Sequence, residues 1–193
     1  MTALFKIDND GWAYNAERIP SPNFDERPKA MAIDLLVVHN ISLPHGQFGG
    51  NEIADFFCNK LDNSAHPIFN EIRDLHVSAH FLVRRTGRVQ QFVSCNARAW
   101  HAGVSSFQGR KHCNDFSIGI EVEGSDHLPF EKLQYKGLAK LTLAIFARYS
   151  IQAIVGHADI APGRKTDPGP YFDWMTLRDL TDLPGKIMPY QCP

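Results

Sequence analysis

The chain has 193 residues, 44% hydrophobic and 21% charged, which is the balance of a soluble globular protein and the length of one domain with a single core. A formal net charge of −1 and a sequence pI near 6.7 exclude a nucleic-acid binder held by a basic surface, which needs clustered positive charge. The opening residues 1–10 carry neither a charged leader nor an apolar run, so no secretory signal and no membrane anchor is expected, and the default location is the cytoplasm. Cys58, Cys95, Cys113 and Cys192 are widely spaced with no CxxC pair, the pattern of buried thiols rather than of a zinc ribbon or a disulfide framework.

In chain order, residues 33–38 are almost continuously apolar, which predicts a central strand covered on both faces and ending at His39. Residues 51–60 carry Ile53, Phe56 and Phe57 at helical spacing, and 61–77 are irregular. Thr86-Gly87 between 81–85 and 88–93 reads as a hairpin turn. Residues 94–115 form a long aperiodic segment containing Trp100-His101-Ala102-Gly103; structureless stretches of that length are uncommon unless they bind something. Residues 117–123 alternate strictly, with Ile118, Ile120 and Val122 facing one side and Ser117, Gly119, Glu121 and Glu123 the other. A long helix is predicted over 130–149 with Leu133, Leu138, Leu141 and Ile145 as its buried stripe. A short strand over 152–155 and a helix over 171–180, beginning near Pro170, complete the chain. This mixture predicts an α/β (α+β) domain with a central mixed sheet flanked by helices.

The chemistry concentrates in residues 156–169, a turn-rich loop holding His157, Asp159, Arg164, Lys165 and Asp167 after an apolar run. His39 ends another such run. Two imidazoles and one carboxylate leave a tetrahedral zinc with an open position, the arrangement of a hydrolytic site, with Asp159 and Asp167 competing for the third place. Glu121 or Glu123 could take a proton from water beside the metal; the plainer alternative is a solvated strand face. Lys165 could stabilise an oxyanion and Arg164 grip a carboxylate, where the plainer reading is surface charge. His80 is expected to be structural, and His101 beside Trp100 suits a groove wall.

These residues resemble the type-2 N-acetylmuramoyl-L-alanine amidases, whose fold is shared with peptidoglycan-recognition proteins, over about residues 30 to 180. The resemblance rests on Val37-Val38-His39-Asn40, Ser78-Ala79-His80, Ala99-Trp100-His101-Ala102-Gly103, Asn114-Asp115-Phe116-Ser117-Ile118-Gly119-Ile120-Glu121 and the loop from His157 to Gly169. Three runs, His39-Asn40-Ile41-Ser42-Leu43-Pro44, Phe48-Gly49-Gly50 and Arg164-Lys165-Thr166-Asp167-Pro168-Gly169-Pro170, resemble the branch that acts on anhydro-muropeptides in the cytoplasm. The resemblance implies His39, His157 and Asp167 as zinc ligands, with Asp159 outside the set. It implies Glu121 as the general base and Lys165 as its partner, with Asn40, Trp100, His101 and Arg164 lining the substrate groove. The implied reaction cuts the bond between the lactyl group of 1,6-anhydro-N-acetylmuramic acid and L-alanine, in peptidoglycan recycling with an indirect influence on β-lactamase induction. One departure stands out: His76 and His112 occupy places where that branch is expected to carry arginines. A muropeptide substrate, no nucleic-acid or membrane partner and a monomer are expected. A non-cutting recognition module and a lytic amidase of polymeric cell wall are the other readings.

Overall fold

The computed structural model describes residues 5–191; Cys192 lies outside them. Its frame is a six-stranded sheet of β1 (Glu17–Arg18), β2 (Leu35–Ile41), β3 (Phe81–Val83), β4 (Val89–Gln91), β5 (Ser117–Glu123) and β6 (Ala153–Gly156), in the spatial order β6-β2-β5-β3-β4-β1. The run β6-β2-β5-β3 is parallel, β4 returns antiparallel as the second arm of the hairpin, and β1 adds parallel to β4 at the edge. The mixed sheet and α+β class expected from the sequence are therefore present.

Parallel strands need cover on both faces, and the alternation along β2 and β5 supplies two different faces. Leu36, Val38, Ile118, Ile120 and Val122 join one core cluster with Leu138, Leu141 and Ile145 of α3 (Lys132–Arg148) and Leu177 of α5 (Trp174–Thr181). The opposite face carries Leu35, Val37 and His39 on β2, and Gly119 and Glu121 on β5. It is covered by Phe107, Cys113, Phe116 and, past β3, by Ile53 and Phe57 of α1 (Glu52–Phe57). All seven residues of β5 are buried, so the solvated strand face considered for Glu121 and Glu123 is ruled out.

Two helical expectations need correction. Leu133 is 55% exposed and not part of the buried stripe. The hairpin turn at Gly87 sits so close to the first turn of α3 that a Cβ there would lie 2.4 Å from the Leu133 carbonyl oxygen. Inward packing therefore begins with Gln134 and Tyr135. The last helix starts at Trp174 rather than near Pro170, because Asp173 caps it by accepting the Thr176 N–H at 3.0 Å.

The irregular stretch 61–77 contains a one-turn helix, α2 (Pro67–Glu71), whose N-cap is His66. The long segment 94–115 is also ordered. Arg98–Ala99 pairs with Phe24–Asp25, Ser106–Phe107 pairs with Arg110–Lys111, and Cys113–Asp115 forms a 3-10 turn. From the N-terminal arm, Arg27 reaches into its roots and donates to the carbonyls of Cys95, Asn114, Asp115 and Ser117 at 2.8–3.3 Å.

Candidate active site

The site is built at the C-terminal ends of neighbouring parallel strands. In the β2–β5 register His39 stands opposite Glu121, and β6 next to β2 delivers His157 at the start of α4 (His157–Ile160). The loop after α4 folds back through the Asp167 carbonyl, which accepts the Ala158 N–H at 2.9 Å. That return brings the Asp167 carboxylate beside both imidazoles. Nδ1 of His39 lies 3.0 Å from Nδ1 of His157 and 3.0 Å from Oδ2 of Asp167, and His157 Nδ1 lies 3.1 Å from the same oxygen. Asp159 is elsewhere: its Oδ2 accepts from the Gly156 N–H at 2.7 Å and from Gln191 Nε2 at 2.8 Å, tying down the start of α4.

The donors suit a metal. His157 Nε2 is 3.0 Å from the Ala102 carbonyl, which can only accept. The ring hydrogen therefore sits on Nε2, and the Nδ1 lone pair points at the shared centre. His39 Nε2 is 2.9 Å from His101 Nδ1, so a hydrogen on that nitrogen leaves the second Nδ1 lone pair facing inward as well. Two nitrogens and a carboxylate oxygen crowded together with inward lone pairs are a set that zinc accepts while keeping a fourth position open. Outer hydrogen bonds of this kind fix the tautomer and orientation of ligating imidazoles.

Glu121 is 9% exposed, and its Oε2 is buried with no hydrogen-bond partner among the described residues. Burial raises its carboxyl well above the ordinary carboxylate range; the Asp167 charge adds to this and Lys165 opposes it. Glu123 is different. It is 1% exposed, but Oε1 accepts the Gly49 N–H at 2.7 Å and Oε2 the Arg85 N–H at 2.9 Å, with Arg84 at 3.4 Å. It is a structural tie between loops.

Of the other expected residues, Lys165 and Trp100 line the cleft. Asn40 lines it too, but its amide nitrogen is spent on Asp126 (2.7 Å) and the Pro168 carbonyl (3.0 Å), which leaves the side-chain oxygen to act there. Arg164 donates through Nη2 to the carbonyls of Ala102 and Val104. His101 lines the cleft and also stacks edge-on against His39; a Cβ on Gly119 would lie 2.4 Å from its ring, so that ring needs a glycine beneath it. His80 is structural as expected: Nδ1 accepts the Gly119 N–H at 3.0 Å and Nε2 lies 3.1 Å from the Ala97 carbonyl. Sequence reasoning did not single out Arg27 or Asn114, which hold the loop around the site.

Two cavities of about 340 Å³ each open at this place, both lined by Trp100, His101, His157 and Lys165. One continues along apolar Ile41, Leu43, Phe56 and Leu75; the other continues toward His76, Asn114 and Arg164. A larger cavity of about 710 Å³, beside Lys111 and His112, does not contain the triad.

Burial pushes His39 down to about 4, against the pull of Asp167, and pushes His80 and His101 well below the ordinary histidine range. Unfolded imidazoles take up protons below about 6.5, whereas buried His39 does so only near 4, so stability falls as pH drops through that window. For His39 alone the gap is worth about 3 kcal/mol at most. The melting temperature of metal-free protein should drop steadily between pH 6.5 and 4; a flat profile would contradict buried neutral imidazoles.

Residues 29–170 match the family model for N-acetylmuramoyl-L-alanine amidases (Amidase_2). The chain belongs to that amidase family. It is 55% identical over 172 residues to the 1,6-anhydro-N-acetylmuramyl-L-alanine amidase AmpD of Escherichia coli (strain K12), covering 88% of this chain and 94% of that protein. A crystal structure of a selenomethionine AmpD derivative superposes with a TM-score of 0.87 at 54% identity, covering 89% of this chain and 97% of the other. The AmiD amidase from E. coli, solved with anhydro-N-acetylmuramic acid-L-Ala-D-γ-Glu-L-Lys as substrate, matches with a TM-score of 0.58 at 30% identity, covering 90% of this chain and 65% of that one.

Proposed function

We propose that this protein is a zinc-dependent amidase of one domain, acting as a monomer on the bond between the lactyl group of 1,6-anhydro-N-acetylmuramic acid and L-alanine. The observation that carries the reading is the convergence of His39, His157 and Asp167 beside the buried, unpartnered oxygen of Glu121. The choice of anhydro-muropeptide follows the likeness to AmpD over nearly the whole chain.

The chemistry a bound zinc supplies is Lewis acidity toward the scissile carbonyl and a lowered pKa for the attacking water. Glu121, held without a competing hydrogen bond, takes the proton of that water and hands one to the departing alanine nitrogen. Lys165 sets a cation at the cleft wall where negative charge develops on the carbonyl oxygen. Asn40 offers its side-chain oxygen to a substrate N–H, and Trp100 and His101 form the wall between the two cavities. Arg164, anchored through Nη2, pairs with a peptide carboxylate through its remaining nitrogens.

The setting proposed is peptidoglycan recycling in the bacterial cytoplasm, with β-lactamase induction affected through the muropeptide pool. One feature fits it: Cys58, Cys95 and Cys113 are buried free thiols, as a reducing compartment leaves them. The test is incubation of zinc-loaded protein with anhydro-muramyl tripeptide, followed by mass spectrometry for free tripeptide. Chelator-sensitive release is expected. Binding without cleavage would make this a recognition module, and neither would redirect the reading to polymeric cell wall.

A further inference from the structure

The outer nitrogens of the two candidate metal-binding imidazoles converge on one short piece of chain. His39 Nε2 meets His101 Nδ1 at 2.9 Å, and His157 Nε2 meets the carbonyl of the next residue, Ala102, at 3.0 Å. The backbone N–H groups of these two residues donate to a single atom, Oδ1 of Asn114, at 3.2 and 2.8 Å. Asn114 is itself fixed, since its carbonyl accepts from Arg27 Nη1 at 2.9 Å within the 3-10 turn Cys113–Asp115. We infer that Asn114 is a positioning residue for the metal centre, its one amide oxygen setting both groups that orient His39 and His157.

The physical argument is that of a shared support. Ala102 is fully buried, so its N–H has no water to turn to if Oδ1 is removed. A buried unsatisfied donor is costly enough to move a loop. Any shift that repairs it drags the Ala102 carbonyl and the His101 ring together, because they are adjacent. Neither can move without turning an imidazole. His101 has little room to compensate, being pressed over Gly119 and held at Nε2 by Ser117 Oγ at 3.2 Å. A residue that touches no metal ligand thus acts on two of the three. Loss of outer partners of this kind typically weakens metal binding ~10–100-fold.

This inference rests on reading the His39–His157–Asp167 cluster as a zinc site, and the experiment separates the two. Zinc affinity of the full chain is measured by competition with a colorimetric chelator. It is compared for wild type, Asn114→Ala, Asn114→Leu (which keeps the volume should the alanine variant not fold), Asn114→Asp and Asp115→Ala. The expected result is weakening of ~10–100-fold in the alanine and leucine variants and near wild-type affinity in Asn114→Asp, which keeps an acceptor oxygen. Asp115→Ala loses the ion pair with Arg98 on the same turn, so it should lower the melting temperature with zinc affinity unchanged. In nitrogen-15 imidazole spectra of the zinc form, the Nε2–H signals of both His39 and His157 should shift together in the alanine or leucine variant. Wild-type affinity in those variants, or equal weakening in Asn114→Asp, overturns the inference while leaving the zinc site standing. A wild-type protein that retains no zinc overturns the metal reading and this inference with it.

Discussion

Asp167→Ala is expected to strip the protein of zinc and of turnover, whereas Asp159→Ala should keep its metal. Both aspartates lie close to His157 in sequence, Asp159 inside α4 and Asp167 in the loop after it, but their oxygens have different work. Asp167 Oδ2 faces both Nδ1 atoms at 3.0 and 3.1 Å. Asp159 is occupied with the N–H of Gly156 and with Gln191. Losing it removes a helix cap, at a cost of about 1 kcal/mol in stability. Metal analysis of the purified variants alongside melting curves reads both effects. Zinc retained by Asp167→Ala and lost by Asp159→Ala would reverse the ligand assignment.

Glu121→Gln should bind zinc normally and lose turnover by ~10²–10⁴-fold, the range for a positioned general base. The substitution keeps the shape and removes only the ability to accept a proton and return it. Glu123→Gln tests the neighbouring carboxylate on the same strand face. It weakens the ties to Gly49, Arg85 and Arg84, so its expected signature is a lower melting temperature with activity intact in the folded fraction. Near-normal turnover in Glu121→Gln would remove it from the mechanism.

Most of the frame was legible because it rests on periodicity. The apolar run before His39, the alternation from Ser117 to Glu123 and the hairpin at Thr86-Gly87 each carry a pattern that burial enforces. The two-residue strands of the N-terminal arm and segment 94–115 carry none, being too short for any period to appear. In the site, types of residue were readable and their pairing was not. Spacing alone could not separate Asp159 from Asp167 or Glu121 from Glu123, because the difference lies in folded contacts: Asp167 returns to His39, Asp159 turns back to the Gly156 N–H, and Glu123 takes the N–H groups of Gly49 and Arg85. The supporting roles of Arg27 and Asn114 were hidden for the same reason: their partners lie up to 90 residues away.

The β2–β5 register has a consequence for how such a protein can diversify. His39 and Glu121 sit on buried parallel strands and His157 directly after one, where a one-residue slip would turn every side chain to the wrong face. The cleft walls supplied by α1 and the stretch 72–78 make none of the ties that orient the imidazoles, and can lengthen, shorten or change composition without disturbing that register. His76 lies in this tolerant part. Substrate preference can therefore drift by exchange of wall segments while the reacting centre stays intact.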